Sequence, residues 1–251
     1  MTLILTPLPG LPLVKAGDDL GALIINGLEA AGIQLQKGDV LVVAQKVISK
    51  AEGRMVELNT VQPSPEAVAL AAEVEKDARL VELVLQESNE VLRKRPGLLV
   101  VEHRLGFISA NAGIDHSNVG EGKDRVLLLP ENPDTSAEQL RIYLQQAAGV
   151  GLGVLVIDSH GRAWRNGTVG VAIGLSGLPG LVDLRGKKDM MGYTLQATII
   201  GAADELAAGA SLVMGQAAEG TPVVHARGFP YPLRDAELAE ILRAKEKDMF
   251  R

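Results

Sequence analysis

The stretch Gly149-Val150-Gly151-Leu152-Gly153-Val154-Leu155-Val156-Ile157-Asp158-Ser159-His160-Gly161-Arg162 decides the fold. Its centre, Val154–Ile157, predicts a short buried strand, because unbroken aliphatic residues bounded by polar and glycine positions suit a sheet covered on both faces. The strand delivers Asp158 at its C-terminal end. Upstream, Thr135-Ser136-Ala137-Glu138 has the pattern of a capping box and opens a helix to Ala148. Gly149-Val150-Gly151 ends that helix. The same glycines do not make a dinucleotide fingerprint, since the last glycine is missing and the run precedes a strand.

Working outward, Val40–Ala44 is a second buried strand, introduced by the turn Lys37-Gly38-Asp39. Asp18 to Ala31 predicts a helix with Leu20, Leu23, Ile24 and Leu28 on one face and Gly32 as its stop. Ser64-Pro65 begins another helix in cap and N1 order, and Arg79–Glu87 a further one. Strands are expected at Leu3–Thr6, Leu98–Val101, Phe107–Ala110, Val126–Leu129, Val169–Ile173 and Val223–Ala226. Ala203–Leu212 and an amphipathic segment from Arg234 onward complete the helices, the latter with a charged end, Lys245–Asp248. Local strand pairs mixed with longer crossovers predict an α+β class, with α/β as the alternative. No linker composition divides residues 1–251, so one domain is expected, open to two interleaved subdomains.

The chain has 251 residues, 47% of them apolar with 28 glycines besides, ample for a core. Aromatic residues are only 3%, so that core is aliphatic. A net charge of −6 lacks the cationic face of a duplex binder, so no nucleic-acid partner is expected. With no cysteine, disulfides, thiolate metal sites and cysteine nucleophiles are excluded. Met1–Val14 lacks the basic start of a signal peptide. The uncharged run Asn166–Val182 holds five glycines and a proline, unsuited to a membrane span. These features predict a soluble, cytoplasmic protein. Gly186-Lys187-Lys188 is not a P-loop, and no Gly-x-Ser-x-Gly or His-Glu-x-x-His occurs.

Four clusters can carry chemistry. Asn111-Ala112-Gly113-Ile114-Asp115-His116-Ser117-Asn118 offers oxygen ligands for a hard cation, or a turn held by Asx bonds. Asp158 and Ser159 can enter a Mg²⁺ or Mn²⁺ shell, or cap a turn. Behind them Arg162 and Arg165 suit anion binding or a solvated surface. Gln45-Lys46-Val47-Ile48-Ser49-Lys50 follows a buried strand, where its lysines can pair with phosphates or stay solvated. Met214-Gly215-Gln216-Ala217-Ala218-Glu219-Gly220 is a glycine-flanked loop, open to close ligand approach or to a helix cap. His103, His116, His160 and His225 are too dispersed to predict a zinc set. Asp183–Asp189 is a charged turn.

Several of these blocks, in one order, resemble the coenzyme F420-0:L-glutamate ligase family. The likeness runs through Gly10–Val14, Gly17–Leu20, Gln45–Arg54, Asn111–Asp115, Ser117-Asn118, Leu128–Pro130, Pro133-Asp134, Asp158-Ser159, Gly161-Arg162, Gly170–Gly174, Ala203–Ala207 and Met214–Gln216. It implies a GTP-dependent amide ligase that adds L-glutamate to the deazaflavin precursor F420-0, with γ-linked further residues. It also implies a GTP site at Leu11, Pro12, Leu13, Val14, Gln45, Lys46, Lys50, Asn118, Met214, Gly215, Gln216, Ala217, Ala218, Glu219, Gly220 and Thr221. One divalent ion, Mg²⁺ or Mn²⁺, is implied on Asp115 and Asp158, the catalytic pair, and a second on Ser159 and Gln216. A monovalent K⁺ and a homodimer are further implications. Serine replaces a frequent threonine at 159, and glutamine stands at 216 where an acid also occurs. The nitroreductase-like C-terminal extension of some members is not expected.

The residue types suit that chemistry, because an acyl phosphate needs charge neutralisation and positioning, not an enzyme nucleophile. Arg162, Arg165 or Arg185 is expected to orient a substrate carboxylate or phosphate. Two other readings stay open: a related amino-acid ligase with another phosphorylated acceptor, and a GTP-binding regulatory protein without catalysis.

Overall fold

The computed structural model describes residues 2–117 and 124–249. In chain order the elements are β1 (Ile4–Pro7), α1 (Leu20–Ala30), β2 (Val40–Ala44), α2 (Gln45–Ala51), β3 (Met55–Glu57), α3 (Pro65–Val74), α4 (Ala78–Gln86), β4 (Ser88–Arg95), β5 (Leu98–His103) and β6 (Ile108–Ala110). They continue as β7 (Arg125–Leu127), α5 (Pro133–Ala148), β8 (Gly153–Arg162), β9 (Arg165–Ser176), β10 (Val182–Asp183), β11 (Ile199–Ile200), α6 (Ala202–Met214) and β12 (Val223–Arg227). The class is α+β with mixed sheets. No helix among the described residues is long and apolar enough to cross a membrane.

The main sheet has the order β1-β12-β2-β8-β9. β2 and β8 run parallel, with Val40 beside Gly153 and Ala44 beside Ile157, and the other pairs are antiparallel. The parallel pair is aliphatic along its length, and Val40–Val43 and Val154–Val156 are fully buried. A bulge in β9 opposite Val156 and Ile157 turns that strand over by one position. Gly170 therefore faces α6 and Gly174 faces α5. Both glycines are required by close approach. A Cβ at Gly174 would lie 2.5 Å from the Pro133 carbonyl carbon, and one at Gly170 would lie 2.6 Å from the Ala207 oxygen. Gly174→Ala sets backbone against backbone, and an overpacking loss of about 3 kcal/mol is expected. Urea unfolding checks it; a change under about 0.5 kcal/mol would show that α5 simply moves aside.

β9 is also an edge strand, whose unpaired N–H groups need partners. The first turns of α5 and α6 supply them: Asp134 accepts from Leu175 N at 2.8 Å and Asp204 from Ala172 N at 2.9 Å.

A second body of the structure holds α3, α4 and the small sheet β4-β5-β6 around Ala67, Val74, Val81, Val84, Leu99 and Val101. It is tied to the β2–α2 region through Glu87, which accepts from Arg54 Nη2 at 2.8 Å and Arg104 Nε at 3.0 Å. Burial raises the Glu87 pKa, but the nearby His103 ring and the bonds from Arg104 and Arg54 outweigh it and hold it at about 2. A depressed carboxylate stabilises the fold fully above its ordinary value, and this is lost as pH falls from about 4.5 toward 2. Glu87→Gln is expected to cost about 2–3 kcal/mol at neutral pH and to flatten the acid limb of the stability curve. An unchanged acid limb in chemical denaturation would refute this.

Three local expectations are corrected. The α5 cap is Asn132, whose side chain accepts from Thr135 N at 3.1 Å, with Pro133 at the first position. Thr135 is thus inside the helix, and Glu138 pairs with Arg141 and Ser176. Asp158 does not end a strand, because β8 runs on to Arg162 as one arm of a long hairpin with β9. Gln45–Lys50, directly after β2, forms a short helix. The segment after Arg234 holds only single helical turns at Leu238–Glu240 and Lys245–Lys247. The charged turn Asp183–Asp189 belongs to an exposed β-arm closed by β10 and β11, in which Leu195 N donates to Lys187 O at 2.8 Å.

Candidate functional site

Strand register places four segments at one edge of the main sheet. The end of β1 lies beside the start of β12, where Leu8 N donates to Val223 O at 2.8 Å. The start of β12 lies beside the end of β2, where Ala44 N donates to Pro222 O at 2.8 Å. The end of β2 lies beside Ile157, so Gln45 and Asp158 are neighbours by register. Leu11–Val14, Met214–Thr221, Gln45–Lys50 and Asp158-Ser159 thus converge, although up to two hundred residues separate them in sequence. Carboxyl ends of parallel strands are where open sheets place ligands. Leu13 is exposed and Val14 buried. Gly17 N ties this loop to the end of α2 through Ala51 O at 2.9 Å.

Asp115 reaches the same edge from the other body. Its backbone pairs in both directions with Leu127, at 2.9 Å each way. The turn before it holds Asn111 and Ala112 at φ 49° and 53°, a conformation side chains rarely adopt. Gln45 Nε2 donates to Asp115 Oδ2 at 2.7 Å, and Lys46 Nζ stands 3.3 Å from Oδ1. Ser49 Oγ, one turn along α2, donates to Gln45 Oε1 at 2.9 Å and so fixes which face of the amide meets the carboxylate. Lys46 also donates to Ser117 Oγ at 2.7 Å. Asn118 lies outside the described residues.

Burial, then the negative charge of Asp158, push the Asp115 carboxyl above its ordinary range, against the pull of Lys46 and Gln45. Burial and the neighbouring Lys46 push the Lys50 ammonium down, with Asp115 opposing. Two carboxylates and two ammonium groups therefore share one partly dehydrated edge. Asp158 Oδ2 is 3.1 Å from His160 Nε2, and that ring packs on Phe107, with centroids 5.4 Å apart.

Successive β8 residues point to opposite faces. Asp158 turns toward Asp115, while Ser159 turns toward α6 and donates to Gln216 Oε1 at 2.7 Å. Gln216 Nε2 in turn donates to Ser211 Oγ at 2.8 Å. The loop after α6 is closed by Thr221 Oγ1 on Met214 O at 2.9 Å and by Glu219 accepting from Ala217 N at 2.8 Å. The implied metal ligands thus form two adjacent pairs, Asp115 with Asp158 and Ser159 with Gln216, flanking one strand. Among the described residues no three His, Asp or Glu side chains gather at a point.

His225 is paired with Asp39, at the opposite end of β2, and His103 is buried beside Glu87 and stacks on Phe107, behind His160. Arg185 is held in a two-pronged pair with Asp183, at 2.9 Å from Nε and 2.5 Å from Nη2. A concavity of about 620 Å³ beside it is lined by Pro179, Arg185, Tyr231 and Arg234 and contains none of the carboxylate edge. Ser49, Ser211, Phe107 and His160 support the site without any motif that marks them in the sequence, apart from the i, i+4 spacing of Gln45 and Ser49 on a helix.

Residues 10–228 match the family described as F420-0:Gamma-glutamyl ligase. The chain belongs to that family. Coenzyme F420:L-glutamate ligase of Methanothermobacter thermautotrophicus is 47% identical over 253 residues, covering 100% of both chains. The enzyme of that name from Methanopyrus kandleri is 44% identical over 100% of this chain and 98% of its own. That from Archaeoglobus fulgidus is 44% identical over 98% of this chain and 95% of its own. Membership of the F420-0:gamma-glutamyl ligase family extends over both bodies of the structure, since the match includes Asp115 as well as the sheet edge.

Proposed function

We propose that this chain is a coenzyme F420:L-glutamate ligase that uses GTP to activate a carboxylate of the deazaflavin precursor. The observation that carries the reading is the convergence of Gln45, Lys46, Lys50, Asp115, Asp158 and the Met214–Thr221 loop on one sheet edge. Relatives that span the whole chain bear this activity in their names.

The oxygen donors suit hard divalent ions such as Mg²⁺ or Mn²⁺. The charge conflict between Asp115 and Asp158 is of the kind a cation relieves. Asp115 and Asp158 would hold one ion, and Ser159 with Gln216 a second. Bound there, such ions neutralise phosphate charge during phosphoryl transfer. Lys46 and Lys50, on one face of α2 at i and i+4, sit where they can pair with phosphate oxygens. The glycines of Met214–Thr221 let backbone approach the nucleotide.

The γ-phosphoryl group passes to the acceptor carboxylate, giving an acyl phosphate and GDP. The glutamate amine then attacks the acyl carbon, the C–N bond forms, and inorganic phosphate leaves. Positioning carries such chemistry. Mass spectrometry of the protein with deazaflavin precursor, GTP, L-glutamate and Mn²⁺ tests it. A product heavier by glutamyl units, formed only with GTP, is expected; GTP binding without product would reject the ligase reading.

A further inference from the structure

Beyond Asp158 the β8–β9 hairpin leaves the sheet and ends in a two-residue turn, Ala163-Trp164, between the paired residues Arg162 and Arg165. Trp164 is the chain's one tryptophan. It is 82% exposed and held at φ 57°, a region costly for a bulky side chain. Strain of this kind persists where surrounding structure imposes it and collects at ligand clamps. Arg162 Nη2 donates to Asn166 O at 3.1 Å, which orients the guanidinium across the turn. From Ser159 to Val182 the sequence contains no acidic residue, so Asp158 is the one carboxylate of the hairpin.

Alternation along β8 puts Asp158 and His160 on one face; a bulge in β9 at Asn166-Gly167 follows, beyond which Arg162 and Arg165 are cross-strand partners at the tip. At roughly 3.3 Å per residue, Arg162 stands about 13 Å from Asp158. The ribbon therefore carries, in order toward its tip, a carboxylate of the candidate centre, two guanidinium groups and an exposed indole at the turn. That order matches an elongated ligand with a flat aromatic head and an anionic tail ending in the reacting group.

We propose that the hairpin tip is the docking platform of the deazaflavin acceptor. The fused ring stacks on Trp164, and Arg162 and Arg165 take the anionic groups of the tail, which directs its carboxyl end toward Asp158. Stacking on an exposed indole supplies affinity without chemistry, and arginine suits planar contact with phosphate or carboxylate. The inference rests on the ligase reading and assigns its acceptor subsite.

The test is steady-state kinetics of Trp164→Ala, Trp164→Gly and Trp164→Phe in the full chain, varying acceptor, GTP and glutamate separately. Trp164→Ala is expected to raise KM for the acceptor about tenfold or more, with kcat and the KM values for GTP and glutamate little changed. Trp164→Phe restores most of the loss. Glycine tolerates the left-handed turn, so Trp164→Gly should match or exceed the thermal stability of Trp164→Ala while keeping the raised acceptor KM. Intrinsic fluorescence of the wild type, which reports Trp164 alone, is expected to fall on adding acceptor without GTP. An acceptor KM unchanged in active Trp164→Ala would overturn the subsite and leave the ligase reading standing. A shift confined to KM for GTP would overturn it too, by assigning the indole to the nucleotide base. A wild type that makes no product with the deazaflavin precursor would overturn the ligase reading itself, and the subsite with it.

Discussion

Asp158→Asn is expected to lower glutamyl transfer by on the order of 10³-fold while leaving the fold intact. The substitution keeps the side chain's size and its contact with His160, at 3.1 Å, but removes the charge. A charge facing a transferring phosphoryl group contributes several kcal/mol, and about 1.4 kcal/mol is tenfold in rate. Asp115→Asn is expected to fall comparably: its single amide oxygen can keep one of the two contacts from α2, and its NH2 meets the other donor. If both act on one ion, the double variant will be scarcely worse than either single one, as with groups that act as a unit. Titration of Mn²⁺ by calorimetry gives a readout apart from turnover: each single variant should weaken binding, and a chelator should abolish wild-type turnover. Full binding in both single variants, with activity within tenfold of wild type, would remove these carboxylates from the centre.

The α+β class is legible in the pattern of elements, and Asp115 and Asp158 lie in polar clusters that are local features of the sequence, while the pairing of Ser159 with Gln216 is an implication of the family resemblance. What brings them together is not local. The neighbourhood of Gln45 and Asp158 follows from the parallel register of β2 and β8, whose strands are separated by the whole of the second body. Ser159-His160-Gly161 reads as a turn and so predicts a strand end at Asp158; pairing with Gly170 and Val169 instead carries β8 onward. β4, Ser88–Arg95, escaped notice because its charged, exposed residues pack on one side only and it borrows its register from β5. The C-terminal segment fooled the periodicity argument, since Leu238 and Ile241 are drawn to the main core one at a time and need no continuous helix. Helix starts expected at Asp18, Ser64 and Ala203 fall within two residues of the observed ones, because capping and glycine breaks are written locally.

Asp39→Ala is the change expected to cost most stability, and it lies at the opposite end of the same strand pair. Asp39 is 2% exposed, at the entry to β2. Its carboxylate faces His225 Nε2 at 2.8 Å and accepts from Arg227 Nη2 at 2.7 Å, Arg227 Nε at 3.0 Å and Gln36 N at 2.9 Å. Burial pushes its pKa up, but the bonds from Arg227, His225 and Gln36 prevail and hold it below the ordinary value. Removing one member of a buried, bonded ion group leaves the others uncompensated, at a cost of about 3–5 kcal/mol. A typical domain has only about 5–15 kcal/mol in total. The sign with pH follows: the contribution is full above the ordinary carboxylate range, near pH 4, and fades as acid protonates the folded form below it. The gap between Asp39→Ala and wild type should therefore be widest at neutral pH and narrow below about pH 4. KM values should not move in variant protein that remains folded, because β2 separates Asp39 from the edge where Gln45 begins. A cost below about 1 kcal/mol in urea unfolding at pH 7 would show that His225 and Arg227 find water as readily as they find Asp39.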